Sequence, residues 1–171
     1  ANVKKAIVVI GSDKRGTIYG LYHISEKMGV SPWVYWGDAT PVAKDVVQIP
    51  EKELTVTSKE PSVKYRGIFL NDEAPSLTSY AKKKFGGYNQ YFYENVYELI
   101  LRCKGNYLWP AMWSNTFSED GKGANKLANA ELADKYGIVM GTSHHEPLCR
   151  AGVEWQNKYR QYGTSNAWDF N

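Results

Sequence analysis

Val63-Lys-Tyr-Arg-Gly-Ile-Phe-Leu-Asn-Asp-Glu-Ala-Pro75 is the stretch whose reading decides the fold. Its middle, Tyr65–Leu70, predicts a short buried strand running straight into two adjacent carboxylates, Asp72 and Glu73. Pro75 bars the strand from continuing, because proline has no N–H to give to a ladder. Acidic side chains at the carboxyl end of a parallel strand are where open and closed α/β folds put their chemistry. Capping a turn or the next helix is the plainer use of such a pair. The arrangement recurs twice further along, which weighs for chemistry.

After this strand comes a long loop, then a helix expected over about 91–104. Phe92, Val96, Leu99, Ile100 and Cys103 share one face of it, and Gly105 stops it. Strand Tyr107–Met112 ends at Trp113-Ser-Asn-Thr116, and a helix of about 124–136 closes on Gly137. Strand Ile138–Gly141 ends at Thr142-Ser-His-His-Glu146, and Pro147 opens a third helix with Leu148, Trp155 and Tyr159 on one face. This is βαβαβα with parallel strands, an α/β unit. The strand ends Asn71-Asp72-Glu73, Trp113–Asn115 and His144-His145-Glu146 fall on one rim. Three such clusters fit the start of a (β/α)8 TIM-type barrel better than an open sheet. Three strands cannot close a barrel, so the rest is expected beyond residue 171.

Upstream, Ala6–Ile10 is a continuous β-branched run, the pattern of a strand covered on both faces. Gly11-Ser-Asp-Lys-Arg-Gly-Thr17 leads into a helix with Ile18, Leu21, Tyr22, Ser25 and Met28 on one face and Gly29 as its stop. Strand, glycine loop and helix invite a phosphate-loop reading. That loop needs Lys after its second Gly, where Thr17 stands, and Asp13 brings the wrong charge. A turn with helix-capping groups is the better reading. Pro41–Ser58 alternates enough to suggest short edge strands, and Lys59-Glu-Pro-Ser62 is a polar boundary. Residues 1–60 thus read as the C-terminal part of an N-terminal α/β domain, and 61–171 as the first part of the barrel.

Composition is that of a soluble globular protein, 43% hydrophobic and 23% charged. Six Trp and thirteen Tyr suit carbohydrate or base stacking, or a large core. The net charge of +3 comes without a basic stripe, so no nucleic-acid partner is indicated. No apolar run reaches a membrane span, and Ala1–Ala6 is not a signal peptide. Cys103 and Cys149 form neither a disulfide framework nor a metal spacing and are expected as buried thiols. Both chain ends suggest an excerpt of a longer protein.

Six motifs in order carry a resemblance: GSDKRGTIYG (11–20), VSPWVYW (30–36), SVKYRGIFLNDEAP (62–75), KFGGYN (84–89), NYLWPAMW (106–113) and YGIVMGTSHHEP (136–147). They are similar to the xylan α-1,2-glucuronidases of glycoside hydrolase family 115, over nearly the whole chain. The resemblance implies an enzyme several times longer than this chain, removing glucuronic or 4-O-methyl-glucuronic acid side groups from xylan with inversion. It implies a secreted or periplasmic protein acting on glucuronoxylan oligosaccharides, with a homodimer allowed for the full-length protein; no cofactor and no metal is expected from the residues. It places Asn71, Asp72, Trp113 and His144 in the active site, all matching without substitution. One segment departs: Phe117–Asn129 is Gly- and Ala-rich where the family commonly carries an acidic stretch.

An inverting glycosidase needs two carboxyl groups roughly 6.5–9.5 Å apart. Asp72 is the choice for one of them. Glu73 points away from it on an extended strand end and suits a structural ion pair. Glu146 is a candidate partner, although Pro147 beside it suggests that it caps the third helix, and the second carboxylate is expected beyond this chain. His144 suits binding of the uronate carboxylate, with Glu73, His145 and Glu146 supporting the site from behind. Adjacent His residues without further ligands at suitable spacing make a poor metal site. Trp113 offers a sugar-stacking face or ordinary core filling, and His23 a surface or packing role. The rival function is a non-catalytic carbohydrate-binding scaffold, against which the helix–strand alternation speaks. This chain alone is expected to be inactive.

Overall fold

The computed structural model describes residues 4–144, 146 and 149–162. In chain order the elements are α1 (Lys14–Lys27), α2 (Glu51–Leu54), β1 (Gly67–Phe69), α3 (Ser76–Phe85), α4 (Gln90–Arg102), β2 (Tyr107–Trp109), α5 (Ala128–Tyr136), β3 (Val139–Met140) and α6 (Gly152–Tyr162). The chain divides into two compact units. One holds the residues up to Arg66 together with Glu98–Asn106; the other holds Gly67–Tyr97 and the chain from Tyr107 onward.

In the first unit the glycine loop is a helix cap. Asp13 Oδ1 accepts the Gly16 N–H at 2.7 Å, and that bond, ahead of the nearby Arg15 guanidinium, holds its carboxyl below the usual range. Gly11 is needed by close approach, since a Cβ there would run into the Thr17 backbone. On α1 the expected apolar face is only half covered: Ile18 and Tyr22 are half-buried while Leu21 and Met28 are exposed. Arg102 gathers this unit, pairing with Glu98 at 2.8 Å, donating to Ser25 Oγ at 3.0 Å and lying 4.4 Å over the Tyr22 ring. Arg66 donates to the Lys104 carbonyl at 2.9 and 3.0 Å, so the chain entering β1 is tied to the chain entering β2.

Two expectations fail here. Ala6–Ile10 forms no ladder among the described residues, and Ile7, Val8 and Ile10 are exposed. Apolar, β-branched composition raises strand propensity, but a strand exists only where a neighbour pairs its backbone groups. Over 41–58 no strand forms either. Glu-Lys-Glu-Leu after Pro50 is instead a one-turn helix, because its straight-chain residues favour helix and Thr55 Oγ1 closes the turn on the Glu51 carbonyl at 3.0 Å.

The second unit contains the sheet. Its order is β1-β2-β3, all parallel, with Gly67 opposite Tyr107, Phe69 opposite Trp109, and Tyr107 opposite Val139. Each pair is separated by at least one helix, which returns the chain to the same edge, as the sequence pattern predicts. All three strands are shorter than expected. Pro110 ends β2 by removing a donor, although pairing extends one residue further through Leu70 N–H to the Trp109 carbonyl and Gly141 N–H to the Leu108 carbonyl. β1 is not the buried strand expected: Ile68 and Phe69 are exposed, because β1 is an edge with β2 on one side only. Leu108, in the middle of the sheet, is fully buried.

The stretch read as a long loop contains α3. Its lysine-rich sequence hides the helical period, yet its end is plainly signalled. Gly86 takes a left-handed φ of 81°, its N–H reaches the Lys82 carbonyl, and the Gly87 N–H reaches Ala81. The α5 expectation began too early, since Asn125 rather than Ala124 starts the turn that leads into Ala128. The third helix, expected from Pro147, is described from Gly152; Pro147 and Leu148 lie outside the described residues. Both cysteines, expected as buried, are exposed. Cys103 sits just past the end of α4, where the buried face has already ended at Leu101.

The core is built on α4, and it is aromatic. Phe92, Tyr93 and Tyr97 have no exposed surface. Phe92 meets Phe85, Tyr88 and Tyr93 edge-on at 5.7, 5.0 and 5.2 Å, and Tyr93 meets Phe117 edge-on at 5.0 Å. Much of the aromatic excess is therefore spent on packing. Each buried hydroxyl has a partner: the Tyr93 oxygen accepts the Ala111 N–H at 3.1 Å, and Tyr97 donates to the Asn129 carbonyl at 3.2 Å. Burial pushes the Tyr93 ionisation well above the ordinary tyrosine range, so it works as a neutral hydroxyl. Tyr93→Phe should cost about 1–2 kcal/mol by leaving the Ala111 N–H unpaired in the core, whereas exposed Tyr91→Phe should be neutral. Denaturant midpoints of both variants in the polypeptide carrying this chain check it.

Candidate functional site

Asp72 follows β1 by three residues and is nearly buried, at 7% exposure. Its carboxylate collects three donors from consecutive residues after β2: Trp113 N–H at 3.2 Å, Ser114 N–H at 3.0 Å and the Asn115 amide at 2.6 Å. Its own carbonyl accepts from Thr78 Oγ1 at 2.6 Å. Thr78 has one proton and has spent it, so the 3.1 Å contact with Tyr88 is a bond donated by the tyrosine. Asp72 thus locks the chain leaving β1 to the chain leaving β2.

The cleft beside this lock has a volume of about 500 Å³ and is lined by Met112, Trp113, Ser114, Glu146, Gly152, Val153 and Gln156. Trp113 is 51% exposed there, so core filling does not account for it. A half-exposed indole offers an apolar face on which a sugar ring can lie. Glu146 is 4% exposed and its Oε2 accepts from Ser143 Oγ. The Glu146 carbonyl also accepts from Thr142 Oγ1 at 2.9 Å, so the turn after β3 folds on itself around this residue. Glu146 does not cap α6, which begins at Gly152.

Of the residues singled out from sequence, the cleft wall brings together Trp113 and Glu146. Asp72 stands behind, through the 113–115 backbone. Asn71 and Glu73 are exposed, with the Asn71 amide 3.4 Å from Glu73 Oε1. His144 is exposed in the turn after β3, and His145 lies outside the described residues. His23, expected at the surface or in packing, is half-buried with its Nε2 2.9 Å from the Glu53 carbonyl oxygen. Sequence reasoning missed Ser143 and Gln156; only the spacing of Ser143 three residues before Glu146 hints at the first. Among the described residues no three His, Cys, Asp or Glu side chains converge as metal ligands, and no helix is long and apolar enough to cross a membrane.

The arrangement defines a class: a parallel α/β protein with its polar and aromatic groups gathered at the carboxyl ends of the strands. Residues 58–171 match the model of glycosyl hydrolase family 115. The chain belongs to that family. A solved structure, a novel family GH115 4-O-methyl-α-glucuronidase, BtGH115A, with specificity for decorated arabinogalactans, is 36% identical to it with a TM-score of 0.71. The likeness covers 93% of this chain and 20% of that one, so the chain spans about a fifth of its length. Among the curated proteins compared, none matches.

Asp72→Asn should destabilise the second unit by about 1.5–3 kcal/mol, because an amide cannot accept from all three donors that the carboxylate satisfies. Asn115→Ala removes one donor while the two backbone N–H bonds remain, and should cost about 1 kcal/mol. Thermal melts of the two variants side by side test the order; equal and negligible losses would contradict the lock.

Proposed function

We propose that the polypeptide containing this chain is a glycoside hydrolase that removes glucuronic or 4-O-methyl-glucuronic acid side groups, α-1,2-linked, from xylan, with inversion. What carries the reading is the 36% identity, over 93% of the chain, to a 4-O-methyl-α-glucuronidase of the same family. On this reading β1, β2 and β3 are the first strands of an eight-stranded barrel, and the protein works outside the cytoplasm. Trp113 stacks on the sugar, and Asn71 and His144 bind the uronate, His144 as a donor to its carboxylate. Asp72 is the carboxylate assigned to the chemistry. Its three donors address its lone pairs, which suits activating water or stabilising positive charge at the anomeric carbon better than giving up a proton. The acid is then a second carboxyl group, with Glu146 or a residue elsewhere in the polypeptide as the alternatives.

A second reading concerns the backbone polymer. The matched structure is named for decorated arabinogalactans, so a galactan bearing the same uronate competes with xylan as substrate. Release of glucuronate from glucuronoxylan oligosaccharides and from glucuronate-bearing arabinogalactan decides between them, and the anomer first formed, followed by proton NMR, tests inversion. No release from either polymer would favour a non-catalytic carbohydrate-binding scaffold. Asp72→Asn should lower kcat by about 10²-fold or more, beyond what its loss of stability explains when assayed well below its melting temperature. His144→Ala should raise KM more than it lowers kcat if it serves carboxylate recognition. Kinetics of both on aldouronic oligosaccharides, with melting temperature as the control, read the two roles apart.

A further inference from the structure

Residues 76–93 contain Lys82, Lys83 and Lys84 and no acidic residue, and residues 121–130 contain Lys122 and Lys126 and none either. The fold of the second unit brings these two segments together. Gln90 accepts the Lys122 N–H at 2.8 Å and donates to the Lys122 carbonyl at 3.2 Å. The Lys122 ammonium lies 3.3 Å from where a side chain on Gly86 would begin, at the very end of α3. Lysines in the last turn of α3 complement the carbonyl end of its dipole, but that explains three charges and not the fourth, which arrives on a separate loop. Among the described residues none of Lys82, Lys83, Lys84 or Lys122 has a carboxylate within ion-pair distance. In the same segment Tyr91 is 54% exposed, and Lys84 lies 5.5 Å over the Tyr80 ring. The patch has a place in the topology: α3 leaves the carboxyl end of β1, and α4 begins at Gln90 to return the chain to β2. It therefore sits at the end of the sheet where the Trp113 cleft opens.

We infer that this lysine patch is an accessory docking surface for the uronate-bearing polysaccharide, engaging carboxylates along the polymer away from the residue being cleaved. The inference rests on the function proposed above. Lysines of the last turn of α3 joined by Lys122 from a separate loop, with no carboxylate in either segment, suit a chain of sugars with recurring negative charge, and attract it over a range set by ionic strength. None of the four lysines lines the Trp113 cleft.

The test compares the wild-type polypeptide with the triple variant Lys82→Glu/Lys84→Glu/Lys122→Glu and its neutral counterpart, all three to glutamine. Affinity for glucuronoxylan is measured at low and high ionic strength, beside glucuronoxylan whose carboxyls have been reduced, and beside duplex DNA. Glucuronoxylan binding should weaken about fivefold or more in the glutamate variant and less in the glutamine one, and lose its salt dependence. Binding of the reduced polymer should not change. In kinetics KM for the polymer should rise while kcat, and both constants on aldouronic oligosaccharides, stay as they were. Equal glucuronoxylan affinity in wild type and both variants, with melting temperatures unchanged, would overturn the inference. So would DNA bound more tightly than the polymer and released by the same substitutions, which would mark a nucleic-acid surface. Failure of the wild type to release glucuronate would sink the proposed hydrolysis while leaving the binding comparison fully readable.

Discussion

One carboxylate joins the two strand ends on which everything at this rim depends. Hydrogen bonds along a three-residue parallel strand hold the strands together, but they do not shape the loops that follow them. Asp72 does, by taking the N–H groups of Trp113 and Ser114 and the amide of Asn115. Bonds to a charged acceptor are stronger than neutral ones, and a buried carboxylate left without its donors is costly. The loop after β2 therefore has one arrangement that satisfies Asp72, and that arrangement turns the Trp113 indole outward into the cleft.

Behind the rim the same economy is seen in the core. Tyr93 packs edge-on against Phe92 and Phe117 and accepts the N–H of Ala111, one residue beyond Pro110. A hydrophobic side chain there would fill the space but leave that N–H orphaned where β2 has already ended. Asn129 plays the matching part from α5, its amide donating to the Tyr88 and Phe117 carbonyls at 3.1 and 2.8 Å. Buried polar groups thus close off the irregular backbone that follows each short strand, which aliphatic packing alone does not achieve.

The order and direction of the strands were legible in the sequence because they follow from local facts. Apolar runs, intervening helices and glycine stops leave a parallel sheet in chain order as the simple solution. What was not legible is whatever depends on a partner. Ala6–Ile10 has the composition of a buried strand and no neighbour to pair with among the described residues; β1 has one neighbour and is exposed. α3 escaped notice because its three lysines break the apolar period, although Gly86-Gly87 marked its end. For the site, the residue types at the strand ends could be read, but the partners of Asp72 lie 41 to 43 residues away, and no spacing rule reaches so far.

The position of Asp72 also explains why a residue of this kind is hard to assign from its type alone. An acidic residue at a strand end can serve as a cap, as an anchor or in the reaction, and these uses are usually weighed as alternatives. Here the anchoring use is visible, and under the proposed function it does not compete with the reactive one. Donors that hold a carboxylate fixed also fix its orientation towards whatever lies in front of it, and orientation is a large part of what a catalytic carboxylate must have. Among the described residues the exposed side chains of Asn71 and Glu73 on either side have no such restraint, their one mutual contact being 3.4 Å long. Of the three neighbours, then, only Asp72 is held by such bonds among the described residues, and under the proposed function the bonds that make it structural are the ones that orient it.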